Sequence, residues 1–283
     1  MKYLTNELVS NINNFYFNEL FNKFDEKSYD SLSVFYEKHL YEVDLILYNL
    51  TANNKNIDIS KLSLIDIGGG LGINSIILTK FFKIKCTVLD RLDEFDSSLD
   101  RVTGNDLDLK ERLNFFNVKL IKDDFIKDGF KSLENLKFDV ITCFSVIEHF
   151  YFSPKFFFSI FHTISNSNTI VLISTPNQLH LLNRIRALFG INIWEDFNYY
   201  YNSHQYYGHV REFIPKELIY IGNNFNKFDL LKLDYSNFPL KSNPFYLSKR
   251  KSIIYIVFKL LYEFLCIFNK SFKFHLTLIL KKK

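Results

Sequence analysis

The stretch LSLIDIGGGLG, residues 62–72, decides the fold. Its apolar first half ends in glycines, and this order predicts a buried strand, a sharp turn and then a helix from about Ile73 to Phe82. Glycine allows backbone conformations that other residues avoid, and it lets a ligand approach the main chain closely. Because doubly wound sheets bind ligands beyond the carboxyl ends of their strands, we expect a ligand at this turn. The turn glycines are Gly68, Gly69, Gly70 and Gly72.

Short apolar runs separated by helical patterns follow this stretch along the chain. The alternation predicts βαβ units, and therefore an α/β fold with a doubly wound, parallel, Rossmann-like sheet of seven strands. The predicted strands are residues 62–67, 85–89, 117–121, 138–144, 169–174, 228–234 and 274–280.

The remaining segments predict additions to this sheet. Residues 1–60 carry a helical pattern and are expected to form an N-terminal cap on the domain of residues 61–283. Residues 178–214 are aromatic and too long for a simple connection, which favours a lid or substrate-binding insertion after the fifth strand. Residues 240–272 are predicted to be a helical insertion before the last strand.

Composition and charge limit the class of protein. With 283 residues, 47% of them hydrophobic, the chain can bury a full core, and its net charge of +4 is mild. The chain has no long basic tract, so nucleic acid is not expected as a partner. The three cysteines are scattered and the first residues do not resemble a signal peptide, which together favour the cytoplasm.

The residues around the glycine turn distinguish between two nucleoside cofactors. A dinucleotide fingerprint GxGxxG that starts at Gly68 needs a third glycine where this chain has Ile73. Asp66, an acid just before the turn, is unfavourable for a pyrophosphate but suits the ammonium group of S-adenosylmethionine (SAM). Asp90 ends the second strand and can accept both ribose hydroxyls, a role that would also serve NAD. At the end of the third strand, Asp124 can accept from the adenine amino group while Phe125 packs on the ring.

These residues, together with FDVITCFSVIEHF at 138–150, resemble the class I SAM-dependent methyltransferases. The branch in question includes ubiquinone-biosynthesis O-methyltransferases and bacterial sugar- and polysaccharide-modifying enzymes. STPN at 174–177 and HVREF at 209–213 resemble the same branch. The resemblance implies SAM as the cofactor. It also implies cofactor contacts from Arg91, next to Asp90, and from residues near the reactive sulfonium, namely Phe144, Ser145 and Val146.

Three side chains are candidates for catalysis: Glu148, His149 and His209. Histidine titrates near neutral pH and suits a general base, although a structural role remains the alternative for each of the three. In the related small-RNA 2′-O-methyltransferases, a Glu-x-x-Glu-His run and a downstream histidine bind magnesium. Here Ser145 replaces the first glutamate, and the loss of one hard oxygen ligand predicts that no metal is bound.

The resulting functional prediction is methyl transfer to a small-molecule or glycan-type acceptor, at a hydroxyl oxygen. The Asn/Asp-Pro-Pro-aromatic motif of nucleic-acid amino-methyltransferases is absent after the fourth strand, which disfavours base methylation. Two alternatives from other classes stay open: a non-catalytic SAM-binding or regulatory protein, and a nicotinamide-dependent oxidoreductase.

The apolar helix predicted at Ile253 to Phe268 allows two interpretations. Its narrow polar side and the preceding basic residues 249–251 are typical of a helix that lies on an anionic membrane, so residues 249–268 would make a peripheral membrane contact. The alternative is an insertion that packs on the sheet or forms a homodimer face. The sequence favours the alternative, because the apolar face is wide and a strand follows directly.

Overall fold

The computed structural model describes residues 2–20, 26–52, 56–91, 106–123, 131–194, 197–202, 208–237 and 253–283. Within these residues, helices cover both faces of one seven-stranded sheet. The predicted Rossmann-like sheet is therefore confirmed. Its strands are β1 (Ser63–Ile67), β2 (Lys85–Asp90), β3 (Lys119–Lys122), β4 (Phe138–Phe144), β5 (Ser165–Pro176), β6 (Phe228–Ser236) and β7 (His275–Lys282).

The strand order is β3-β2-β1-β4-β5-β7-β6, and the sheet is mixed rather than fully parallel. The pairings of β1 with β2 and β4, of β2 with β3 and of β4 with β5 are parallel, but β7 is antiparallel to both β5 and β6. The expectation of a parallel sheet is wrong for β7. The register explains the reversal: Ser236 at the end of β6 lies opposite His275 at the start of β7, so the chain re-enters the sheet from the edge where it left.

The starts of β3 and β5 differ from the sequence prediction for local reasons. Asn117 was predicted to start the third strand, but it has φ +58°, a left-handed conformation that ends the preceding helix, and β3 begins two residues later. β5 begins at Ser165 instead of Thr169 and bends at Asn168, which has φ +68°.

The helical N-terminus predicted from the sequence is present. A side chain, that of Thr5, caps the first helix by accepting a hydrogen bond from the Leu8 N–H. Asp44 accepts hydrogen bonds from the backbone N–H groups of residues 2–4 at 2.7–2.8 Å and thereby fixes the chain start to the second helix. The helices are α1 (Asn6–Asn14, continued as a π-helix over Phe15–Leu20), α2 (Glu26–Ala52), α3 (Ile73–Phe82), α4 (Asp106–Phe115), α5 (Pro154–Ile164), α6 (Leu181–Leu188), α7 (Phe197–Asn202), α8 (Pro215–Asn224) and α9 (Ile253–Phe268).

The sheet separates two apolar cores. On one face, buried side chains of α1, α2, α3 and α4 pack against alternate residues of the central strands. On the other face, α5 and α8 cover the remaining set. Because successive strand residues point to opposite faces, Leu64 and Ile65 belong to different cores. Both faces of the sheet are therefore covered, and its carboxyl edge is left to form the site.

The apolar helix α9 lies where the sequence predicted it but faces outwards. Its two buried side chains, Tyr262 and Cys266, belong to the narrow polar side and pack with residues of α6 and with Phe272 and Phe274. Seven large apolar side chains of α9 are exposed instead. Among the described residues, none of the helices is both long and apolar enough to span a membrane.

Replacement of Gly72 by alanine should destabilise the protein more than the same replacement at Gly190. Both residues have φ near +67°, so alanine costs each about 1–2 kcal/mol in backbone strain. Only at Gly72 would the new Cβ atom meet side chains, with Leu113 Cδ2 at 2.6 Å, which adds about 1–3 kcal/mol of overpacking. Urea unfolding followed by circular dichroism measures the difference. Equal losses for the two variants would contradict the assignment of close packing at Gly72.

Candidate functional site

The glycine turn after β1 contains three left-handed residues. Gly68, Gly70 and Gly72 have φ values of +66°, +52° and +68°, which side-chain-bearing residues rarely adopt. A Cβ atom on Gly68 would lie 2.5 Å from Val146 Cγ2, so the turn packs directly against the end of β4. At Gly70, in contrast, a Cβ atom would meet no atom of the described residues within 4 Å. The backbone at Gly70 thus borders open space, as a ligand cradle requires.

Asp90, at the end of β2, lies beside this cradle. One of its carboxylate oxygens accepts a hydrogen bond from the Gly70 N–H at 2.8 Å, and the residue is buried. A carboxylate offers about four acceptor positions, so Asp90 can also accept ribose hydroxyls. Arg91 follows it directly, half-buried at the same strand end. The structure therefore places Asp90 against the turn, with Arg91 next to it in the chain, and their cofactor contacts stay predictions.

Asp66, the acid before the turn, is buried beneath it. It accepts hydrogen bonds from the Thr142 hydroxyl at 2.7 Å and the Ser75 hydroxyl at 3.4 Å. The pKa of Asp66 is raised to about 7, mainly by desolvation; the nearby acids Glu42 and Asp90 add to the rise, and the two hydroxyls oppose it. A cation that binds in the cradle would therefore stabilise the ionised form of Asp66.

The second helix supplies a further buried acid that the sequence argument missed. Glu42 accepts a hydrogen bond from the Asn74 amide at 2.7 Å and lies 3.7 Å from the Lys38 ammonium. Burial raises the pKa of Glu42, and the carboxyl lies near enough to Asp66 to interact with it electrostatically. The helical cap therefore closes the cradle with charged groups as well as apolar ones. The i, i+4 spacing of Lys38 and Glu42 is visible in the sequence, but it does not indicate that Glu42 lies beside Asp66.

The residues of this crevice fit SAM. Asp66 and Glu42 are two buried carboxyl groups with raised pKa values. An ammonium group bound beside them would stabilise their ionised, negative form. The open backbone at Gly70 and the adjacent Asp90 suit the nucleoside. Asp124 and Phe125, the predicted adenine contacts, lie outside the described residues, and their roles stay predictions.

The end of β4 forms the wall between this crevice and the catalytic candidates. Phe144, Ser145 and Val146 are all half-buried there, and Ser145 has φ +56°. The Ser145 N–H donates to the Ser174 carbonyl at 3.0 Å, and its hydroxyl lies 3.2 Å from Lys38 Nζ and 3.3 Å from His275 Nε2. Ser145 is thus held in a strained conformation by contacts with α2, β5 and β7.

Glu148 is fully buried, yet neither of its carboxylate oxygens has a hydrogen-bond partner among the described residues. The pKa of Glu148 is raised to about 7, mainly by desolvation, and the charges of His209 and Lys38 oppose the rise. Its backbone carbonyl accepts hydrogen bonds from the Val210 and Arg211 N–H groups at 2.7 and 3.1 Å. Glu148 therefore fixes the far end of the predicted lid.

The two candidate histidines are in contact with each other close to Glu148. The rings of His149 and His209 are 4.9 Å apart and edge-to-face, and His209 Nδ1 lies 2.8 Å from Glu212 Oε1. One potential ligand atom from each of Glu148, His149 and His209 lies within 4.8 Å of the others, so the three could hold a metal ion. The sequence argument placed these residues near one another but weighed against a metal, and the prediction of no metal stays untested.

The predicted lid starts and ends at the same place. Asn177 forms a bridge with Phe213, and the Gln178 N–H donates to the Phe213 carbonyl at 3.1 Å. The Asn177 side chain donates to the carbonyls of Ser271 and Lys273, just before β7. These contacts give Asn177, the last residue of the STPN segment, a structural role at the base of the lid. His275 and Glu212 are the other site residues that sequence reasoning missed, and only the His209-x-x-Glu212 spacing could have indicated one of them.

Comparison with known proteins gives the family. A family model described as a methyltransferase domain matches residues 36–226. A putative sarcosine dimethylglycine methyltransferase from Galdieria sulphuraria has a similar structure, with a TM-score of 0.52, 10% identity and coverage of 86% of each chain. A SAM-dependent methyltransferase from Archaeoglobus fulgidus has a TM-score of 0.45 and 17% identity over 84% of this chain and 93% of its own.

These structural likenesses concern the fold alone, and none of the curated proteins matches the chain significantly. The family match covers most of the chain, from the cap helix that carries Lys38 and Glu42 to the end of α8. The glycine turn and the buried acids around it lie inside that range. This protein therefore belongs to the class I methyltransferases, whose methyl donor is SAM.

Proposed function

We propose that this methyltransferase acts on a hydroxyl oxygen of a small-molecule or glycan-type acceptor, with His209 as the general base. The contact between His209 and Glu212 carries the proposal. An ionised carboxylate only accepts hydrogen bonds, so Glu212 keeps the proton of the ring on Nδ1. Nε2 is then left with the lone pair that can take the proton of an acceptor hydroxyl.

SAM supplies a methyl group that is already activated by its positive sulfur. The protein must therefore align the acceptor oxygen, remove its proton and exclude water. Ser145 and Val146 form the wall beside the cradle, and only Ile147 separates them in sequence from Glu148 and His149. The hydrogen bonds from Val210 and Arg211 to Glu148 hold the lid, and with it His209, against this wall.

Glu148 and His149 act as positioning groups in this proposal. The charge of His209 lowers the pKa of Glu148, and by reciprocity an ionised Glu148 stabilises a protonated His209. The edge-to-face contact with His149 restrains the orientation of the His209 ring. Both groups thus support the proton transfer without taking the proton themselves.

The aromatic lid supports the acceptor class. Trp194, Phe197, Tyr200 and Tyr201 are exposed in the described parts of the lid. Exposed rings near a site can stack on sugar or aromatic acceptors. A screen with radiolabelled SAM, beginning with sugars and phenols, tests the proposal by the appearance of label in an ether-linked product. S-adenosylhomocysteine (SAH) binding without turnover on any acceptor would favour the non-catalytic alternative, and a labelled amine would contradict the choice of oxygen.

Replacement of His209 by alanine should lower kcat by about 10²- to 10⁴-fold, because the general base is lost. Glu212→Gln should also lower kcat, by up to about 10⁴-fold, because an amide can donate to Nδ1 and hold the ring in the other tautomer. Steady-state kinetics with the best acceptor measures both effects, and SAH affinity should not change. His162→Ala, a histidine variant on α5, is the control. If His209→Ala kept a kcat near that of the control, His209 would not be the base.

Cofactor affinity should fall as the pH drops below about 7. Asp66 has a raised pKa of about 7 in the free protein, so it becomes protonated there and no longer attracts the ammonium group. The loss approaches about tenfold per pH unit. Calorimetry with SAH from pH 8.5 to 5.5 measures it, and Asp66→Asn should bind weakly and with a smaller pH dependence, because Glu42 remains. Methylthioadenosine lacks the ammonium group and should bind equally at each pH. A constant SAH affinity across the range would contradict the role of Asp66.

A metal-assisted form of the same reaction is the second candidate, since three potential ligand atoms converge and Glu148 has no hydrogen-bond partner among the described residues. Two histidines with one carboxylate suit zinc, iron or manganese better than magnesium. Because the proposal assigns the proton to His209, we expect turnover to survive exhaustive dialysis against EDTA. Turnover that disappears on dialysis and returns with one of these cations would favour the metal instead.

A further inference from the structure

The exposed face of α9 consists of apolar side chains. Seven large residues of this helix have between 47% and 76% of their surface exposed. At 100° per residue they occupy a continuous arc of about 140° on the helix, with no charged residue inside it. They are Ile256, Val257, Leu260, Leu261, Phe264, Ile267 and Phe268.

The orientation of α9 is the reverse of that of a normal surface helix. The side that packs on the protein contains Tyr262 and Cys266, with Lys259 at its margin, and the Tyr262 hydroxyl donates to the Phe272 carbonyl. Among the described residues of the helix, the ion pair of Lys259 with Glu263 runs along one margin of the exposed arc. A protein that left this face in water would expose an unusually large apolar patch, which marks an interaction site.

A second apolar stripe adjoins α9. Leu181 and Leu182 of α6 pack against Tyr262, and Arg184 of α6 donates to the Ser271 hydroxyl just beyond α9 at 2.9 Å. The same helix exposes Ile185, Leu188 and Phe189, and Leu188 is 83% exposed. Both helices emerge at the carboxyl edge of the sheet, since α6 follows β5 and α9 lies between the end of β6 and the start of β7. The apolar surface therefore lies on the edge that contains the cofactor cradle.

The charge around α9 indicates which kind of partner fits its apolar face. Residues 249–273 contain six lysines and arginines and one glutamate, a surplus of five positive charges, while the whole chain has a surplus of four. The rest of the protein is thus slightly negative, and the positive charge is concentrated at the apolar helix. In a symmetric dimer through α9, two such segments would be placed side by side and would repel. An anionic lipid surface has the opposite charge and an apolar interior below it.

We propose that α9, with the adjoining stripe of α6, inserts in the plane of an anionic membrane surface. The apolar arc enters the boundary between headgroups and acyl chains, and the basic residues before and after α9 contact the headgroups. This interaction goes beyond the proposed reaction and does not depend on it. It places the carboxyl edge of the sheet, and therefore the active site, towards the bilayer.

Sedimentation with vesicles tests this surface directly. The full-length protein should pellet with vesicles of phosphatidylglycerol and phosphatidylcholine in equal parts, bind vesicles of phosphatidylcholine alone much less, and dissociate as salt is raised. The double variant Leu260→Gln with Phe264→Gln keeps the net charge but removes two apolar anchors, and it should bind about tenfold more weakly or less. Replacement of residues 249–251 by glutamine should remove the preference for anionic lipid.

The control is Phe115→Gln with Tyr220→Gln, which changes two equally exposed aromatic residues on α4 and α8 and should bind as the wild type does. Thermal unfolding and SAH affinity should match the wild type in both double variants, since the four side chains replaced in them are largely exposed. The proposal is overturned if the wild type stays in the supernatant with anionic vesicles, or if the Leu260 and Phe264 double variant pellets equally well. A dimer that dissociates in that variant, without vesicle binding, would assign the face to a second copy.

Discussion

The glycine turn after β1 is packed so closely that it fixes the geometry of the site around it. Gly68 has no room for a side chain because Val146 fills that space, and Gly72 has none because of Leu113. The turn is therefore pressed against the end of β4 on one side and against α4 on the other. Of the turn glycines, Gly70 alone has space for a side chain among the described residues. A nucleoside can therefore approach the backbone at Gly70. The packing of Gly68 on Val146 in turn fixes the distance from that point to Ser145 and the residues that follow it.

Desolvation gives the cradle its chemistry. Asp66 and Glu42 come from different elements, β1 and α2, and each is costly to ionise where it lies. The fold retains them because a cationic ligand can restore their charge at that place. The helical cap therefore has two physical roles: its apolar residues cover one face of the sheet, and its polar residues complete the electrostatics of the cofactor site. Burial of these two acids lowers the free energy of unfolding, and the same burial increases the affinity for a cation.

The sequence could predict what depends on local patterns. The turn residues Gly68 to Gly72, the helix that follows them and the position of Asp90 at the end of β2 all follow from periodicity and glycine chemistry. The contribution of Glu42 could not be predicted, because its approach to Asn74 and Asp66 depends on how α2 crosses the sheet. His275 was equally hidden, since it reaches Ser145 only because β7 is inserted between β5 and β6. Topology, which a periodic pattern does not encode, brings such residues together.

The outward face of α9 is the clearest case in which composition misleads. A wide apolar face next to a strand favours burial against the sheet, yet the register of β6 and β7 leaves no crossover for α9 to make. Since β7 starts at the edge where β6 ends, the connecting chain stays at that edge and cannot cover a sheet face as a βαβ helix does. The reversed strand and the exposed helix thus have one cause. Because that edge also holds the cradle and the His149–His209 pair, the topology places the apolar surface on the side of the protein where an acceptor must enter.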